Sequence, residues 1–84
     1  MPEITTWAKE LNNYAKNDKI IACTLTDKEL NEEFDSGFGN PEGRDFTAWS
    51  ENYVYFPIVY DGAEWVGRAP RHPCNEKTYH HGGY

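Results

Sequence analysis

Residues 53–69 constrain this chain more than any other stretch. Tyr53-Val54-Tyr55-Phe56-Pro57-Ile58-Val59-Tyr60 is a run of β-branched and aromatic residues, and Asp61-Gly62 follows it directly. That composition reads as a strand. Asp-Gly tolerates the positive φ values of a two-residue hairpin turn. Residues 63–69 then form the returning strand. A two-residue turn sets Ile58 opposite Trp65 and Tyr60 opposite Ala63. Val54, Phe56, Ile58, Tyr60 and Trp65 share one face, which is the expected core set. Tyr53, Tyr55 and Val59 fall on the other face, with Phe46 and Val66 beside them. Pro57 cannot donate to a ladder, so it belongs at an edge position or a bulge.

Upstream, residues 44–50 make a further strand, joined to the hairpin by a turn at Glu51-Asn52. Residues 3–17 carry Ile4, Trp7, Ala8, Leu11, Tyr14 and Ala15 at the spacing of one helical face. Pro2 is tolerated at such a helix start, and Asn17-Asp18 marks its stop. Residues 19–25, Lys-Ile-Ile-Ala-Cys-Thr-Leu, read as a covered, central strand, apolar on both sides. Thr26-Asp27-Lys28-Glu29 fits a capping box. The helix it opens is expected to run through Phe34 or Asp35, with Leu30 and Phe34 as core anchors and Gly37 as its stop. Three glycines and a proline make residues 36–43 a loop. The order is α-β-α-β-β-β. It predicts an α+β fold in which an antiparallel meander carries its helices on one face. One domain spans residues 1–84, and residues 70–84 form an irregular tail.

Charge is distributed unevenly over this framework. Between Asp27 and Asp45 stand Asp27, Glu29, Glu32, Glu33, Asp35, Glu42 and Asp45 against Lys28 and Arg44, a local charge of −5 out of the chain's −6. A field of one sign selects partners of the other sign. Net acidity disfavours direct binding to nucleic acid, which needs Lys and Arg to neutralise phosphate. It disfavours anionic membranes likewise. If the helix buries Leu30 and Phe34, then Glu29, Glu32 and Glu33 face outward, with Glu29 and Glu33 about 5–6 Å apart at Cβ. Such a row imitates a phosphate backbone and would dock into the basic groove of a nucleic-acid-binding protein. The plain alternative is a solvated face that keeps a small protein in solution. Tyr53 and Tyr55 are the second-choice anchors, because exposed aromatic sheet faces mark interfaces. A stacking platform for single-stranded nucleic acid needs more basic residues than Arg44, Arg68 and Arg71 supply.

The tail holds His72, Cys74, His80 and His81, with Cys23 as a further thiol. These types bind zinc, but His-x-Cys-x5-His-His is neither a paired Cys-x-x-Cys nor a spaced His hook. Read as a nucleophile and its base, Cys74 and a histidine lack an orienting third group. There is no phosphate-binding glycine loop and no G-x-S-x-G. The expectation is a binding protein, not an enzyme, with no metal and no cofactor. Its partner would be a protein with a basic surface. In size, acidity and aromatic content the chain is similar in kind to small inhibitors of nucleic-acid enzymes made by phages and mobile elements. That likeness implies a DNA-mimic, anti-defence role. The alternatives are a small metal-binding or Cys/His enzyme built on the tail, and a structural subunit with an aromatic sheet interface. Absence of an apolar run near 20 residues and of a basic-then-apolar start points to the cytoplasm. There Cys23 and Cys74 would be thiols, although a bridge between them stays open.

Overall fold

The computed structural model describes residues 3–60 and 62–78. Pro2, Asp61, His80, His81 and the side chain of Tyr60 lie outside that description. The elements are β1 (Ile4–Thr5), α1 (Trp7–Ala15), β2 (Ala22–Cys23), α2 (Asp27–Leu30), β3 (Phe34–Asp35), β4 (Ala48–Trp49), β5 (Tyr53–Tyr60) and β6 (Ala63–Pro70). Two helices and antiparallel sheets make this an α+β fold, as the sequence order predicts. One sheet has the order β2-β4-β5-β6, and a two-stranded ladder pairs β1 with β3.

The β5–β6 hairpin has the expected register, with Ile58 opposite Trp65 and Tyr60 opposite Ala63. Gly62 takes φ +84°, which a residue with a side chain resists at a turn. Pro57 sits in a central strand, not at the sheet's edge. The register of β4 stops at Tyr55, however, so no neighbouring strand needs the N–H that Pro57 lacks.

Several expectations fail, each for a local reason. Residues 3–6 are not helical: β-branched Ile4 and Thr5 pair with Asp35 and Phe34, and Thr6 caps α1 by accepting from Lys9 N at 3.1 Å. The strand at 19–25 shrinks to Ala22–Cys23 and is an outer strand, not a central one. Ile21 is 57% exposed. Residues 44–50 likewise keep only two ladder positions. The capping box forms at Thr26 and Glu29, but α2 ends at Leu30. Leu30 and Phe34 both reach the core, yet Phe34 does so from a strand. Their i, i+4 spacing is therefore not a helical face.

The larger correction concerns the sheet's two sides. Residues directly opposite in an antiparallel pair share a face. Hence Cys23, Ala48, Tyr53, Tyr55, Val66 and Arg68 lie together. This is the side that α1 covers: Trp7, Leu11, Ala15, Phe46, Ala48, Tyr55 and Val66 form the core, and Tyr55 is 0% exposed. The expected core set lies on the other side with Trp49: Ile58 is buried there, while Val54, Phe56 and Trp65 are half-buried and stand outside the main core cluster.

Trp7 anchors the core to the loops. Its ring lies 4.6 Å from that of Phe34 and 4.9 Å from that of Phe46. Its Nε1 donates to the Arg44 carbonyl at 3.0 Å. A Cβ on Gly43 would stand 2.6 Å from the Trp7 ring. Buried Glu64 fixes the same loop, accepting from Glu42 N at 2.8 Å and Gly43 N at 3.1 Å. Gly43→Ala must push loop and ring apart, and we expect a loss of about 1–3 kcal/mol, as for an overpacked core. Urea unfolding measures it; a midpoint equal to that of the parent would refute the contact's importance.

Candidate acidic interaction site

The acidic segment folds into three parts: α2, the link from Asn31 to Glu33, and the loop that Trp7 and Glu64 hold. Four carboxylates from these parts line one small cleft: Glu29, Glu32, Glu33 and Glu42, with Trp7 and Phe34 as its apolar wall. Arg44 lines it too. Its Nε donates to Glu32 Oε1 at 2.6 Å, its Nη2 lies 3.3 Å from Oε2, and its Nη1 is 3.4 Å from Glu29 Oε2. One guanidinium therefore stands among four acids, and the cleft keeps a net negative charge.

The seven acids are not equivalent. Glu32 is held below the usual carboxylate range by its hydrogen bond to Arg44. Glu29 is lowered first by the Thr26 backbone N–H and then, more weakly, by Arg44. Arg44 is raised in return, chiefly by Glu32. Asp35 Oδ1 accepts from Glu3 N and Gly37 N, both at 3.0 Å, so this residue shapes a turn. Asp27, Glu33, Glu42 and Asp45 are exposed and make no ion pair among the described residues. The outward row Glu29–Glu32–Glu33 on one helix does not exist, because Glu32 and Glu33 lie beyond the end of α2. What composition alone hides is Arg44: its ion pairs cross 12 and 15 positions of chain.

The aromatic anchors divide. Tyr55 is buried, so the structure withdraws it as a contact residue. Its hydroxyl donates to the Asp18 carboxylate. Burial, followed by that carboxylate, pushes the Tyr55 phenol up. The hydroxyls of Ser50 and Tyr55 hold Asp18 down. Tyr53 is half-buried, carries the Arg68 guanidinium 4.0 Å above its ring and donates to Glu76 Oε1 at 2.7 Å.

In the tail, His72, Cys74 and Glu76 line a second pocket with Tyr53 and Asn52, of about 350 Å³. Cys74 and Cys23 are free thiols. No hydrogen bond joins Cys74 to His72 among the described residues. Nor are three His, Cys, Asp or Glu side chains there grouped to hold a metal ion. No described helix is long and apolar enough to cross a membrane.

No protein-family model, curated protein or solved structure matches this chain. The geometry of the acidic cleft gives a direct test of its own electrostatics. In Arg44→Gln, Glu32 should titrate clearly higher, toward its ordinary 4.5. Glu29 should move less, because the Thr26 N–H still holds it. Carboxyl chemical shifts followed against pH would read both. Equal shifts for the two, or none, would contradict the described pairing.

Proposed function

We propose that this protein works by binding another protein through its acidic pole and that it carries out no catalysis. Its partner would present a lysine- and arginine-lined groove of the kind that holds a nucleic-acid backbone, and occupying that groove would inhibit it. A role against a nucleic-acid enzyme or a defence complex, in the manner of a DNA mimic from a phage or mobile element, fits this reading. So does a cytoplasmic setting.

One observation carries the proposal: Glu29, Glu32, Glu33 and Glu42, from three chain segments, line a single cleft. A solvated surface needs no such convergence. Arg44 reduces the usable charge, and Asp35 is spent on a turn. The contact is therefore assigned to Glu33 and Glu42, with Asp27 and Asp45 contributing to the field. Exposed charges of this kind act mainly on the rate of encounter, and salt screens them.

The apolar side of the large sheet supports a second reading. Trp49, Val54, Phe56 and Trp65 share that side and are half-buried around a buried Ile58, and a subunit interface would cover what they still expose. That reading places the aromatic interface opposite Tyr53 and Tyr55. Sedimentation that depends on protein concentration would favour it.

For the leading proposal, immobilised protein should capture a partner from cell lysate at low salt and release it at high salt or to added DNA. Glu33→Lys with Glu42→Lys should reduce capture at least tenfold without unfolding the domain. Arg44→Gln, which frees two carboxylates, should leave capture intact or strengthen it. A partner held equally by the double variant would remove the acidic pole from the account.

A further inference from the structure

A groove on another part of the surface has a different character. It runs along the second half of α1, under the chain that leaves that helix, and has a volume of about 430 Å³. Pockets for small molecules fall at roughly 300–1,000 Å³ and are mainly apolar with a few placed polar groups. The floor here is Ala8, Leu11, Ala15, Ile20 and Leu30. Lys16, Asp18 and Lys19 line its mouth, with Asn12 and Asn17 beside them.

Two observations say what it suits. The first is charge. Both lysines are exposed, and neither makes an ion pair among the described residues. Asp18 lines the groove too, but its carboxylate accepts from the Tyr55 hydroxyl, and the Arg68 charge also acts on it. The C-terminal end of α1 contributes about half a negative charge. Two ammonium groups outweigh that end and the Asp18 carboxylate together, by a small margin. The mouth is thus locally cationic on a chain of net charge −6.

The second is the backbone. Lys16 takes φ +54°, ψ −106° at the cap of α1. Helices commonly end on glycine near this position, because a Cβ is strained at positive φ. Such strain tends to sit at ligand contacts. Glycine would avoid it; the chain keeps a lysine at the groove's mouth.

We propose that the groove binds a small amphipathic carboxylate. Its aliphatic body lies on the Leu11–Ala15–Leu30 floor and its carboxylate sits between Lys16 and Lys19. A wholly apolar ligand would leave the lysines unused, and a cation would be repelled. This site is independent of the acidic pole.

Octanoate is a suitable probe, titrated into isotope-labelled protein. Saturable amide shifts should map to residues 8–20 and Leu30, with a Kd tighter than about 1 mM. Lys16→Gly with Lys19→Ser should weaken binding at least tenfold, and the glycine should relieve the cap, leaving the fold intact. Should the pair disturb the fold, Lys19→Ser alone lies outside any helix or strand and should still weaken binding several-fold. Octan-1-ol, with the same chain and no charge, should bind parent and variant alike. Absence of saturable shifts at the groove would overturn the proposal, and so would equal affinity of parent and lysine variants for octanoate.

Discussion

The packing of Trp7 is the interaction on which the rest of this small structure depends. The ring is 1% exposed, sits against Phe34 and Phe46, and touches Gly43 on its edge. It gathers parts of the chain that no regular element joins. Through Phe34 it brings β3 to the helix. Through the Arg44 carbonyl it fixes the loop that precedes β4. Arg44 can collect Glu29 and Glu32 only because its backbone is held there. The acidic cleft is in this sense held in place by core packing.

Three of the chain's fourteen acids, Asp35, Glu29 and Glu64, are employed in fixing loops and turns. Short strands leave many backbone N–H groups without ladder partners, and buried or half-buried ones must be satisfied. Carboxylates take that role repeatedly. Asp35 accepts from Glu3 and Gly37, Glu29 from Thr26, and Glu64 from Glu42 and Gly43. Hydrogen bonds to a charged acceptor are stronger than neutral ones, which suits a domain with few regular elements. Charge density in a sequence therefore overstates the charge available to a partner. Asp35 and Glu29 illustrate the discount, and Glu33 illustrates what survives it.

Local chemistry was legible and long-range choice was not. The Asp61-Gly62 pair set the hairpin register, and the Thr26–Glu29 box set the start of α2. The covered side of the sheet was not readable from β5, because Val54, Phe56 and Ile58 alternate with Tyr55, Pro57 and Val59, and both rows are apolar. On the covered side the hydroxyl of Tyr55 finds Asp18, and Ala48 joins Trp7 and Leu11 in the core cluster. Neither fact is local. Two-residue strands such as β1 and β3 carry no periodicity to detect. The gathering of four glutamates was visible as composition, while the guanidinium among them depended on the path of a glycine-rich loop.

That loop has one more attachment. Gly39 N donates to the Gly62 carbonyl at 3.2 Å, and the two glycines lie close enough that a Cβ on Gly62 would stand 3.3 Å from Gly39 Cα. The far tip of the longest hairpin and the segment leading to Glu42 are therefore fastened together. A displacement of the hairpin tip is thereby resisted at the loop, and the position of Glu42 is tied to the β-ribbon as well as to Glu64.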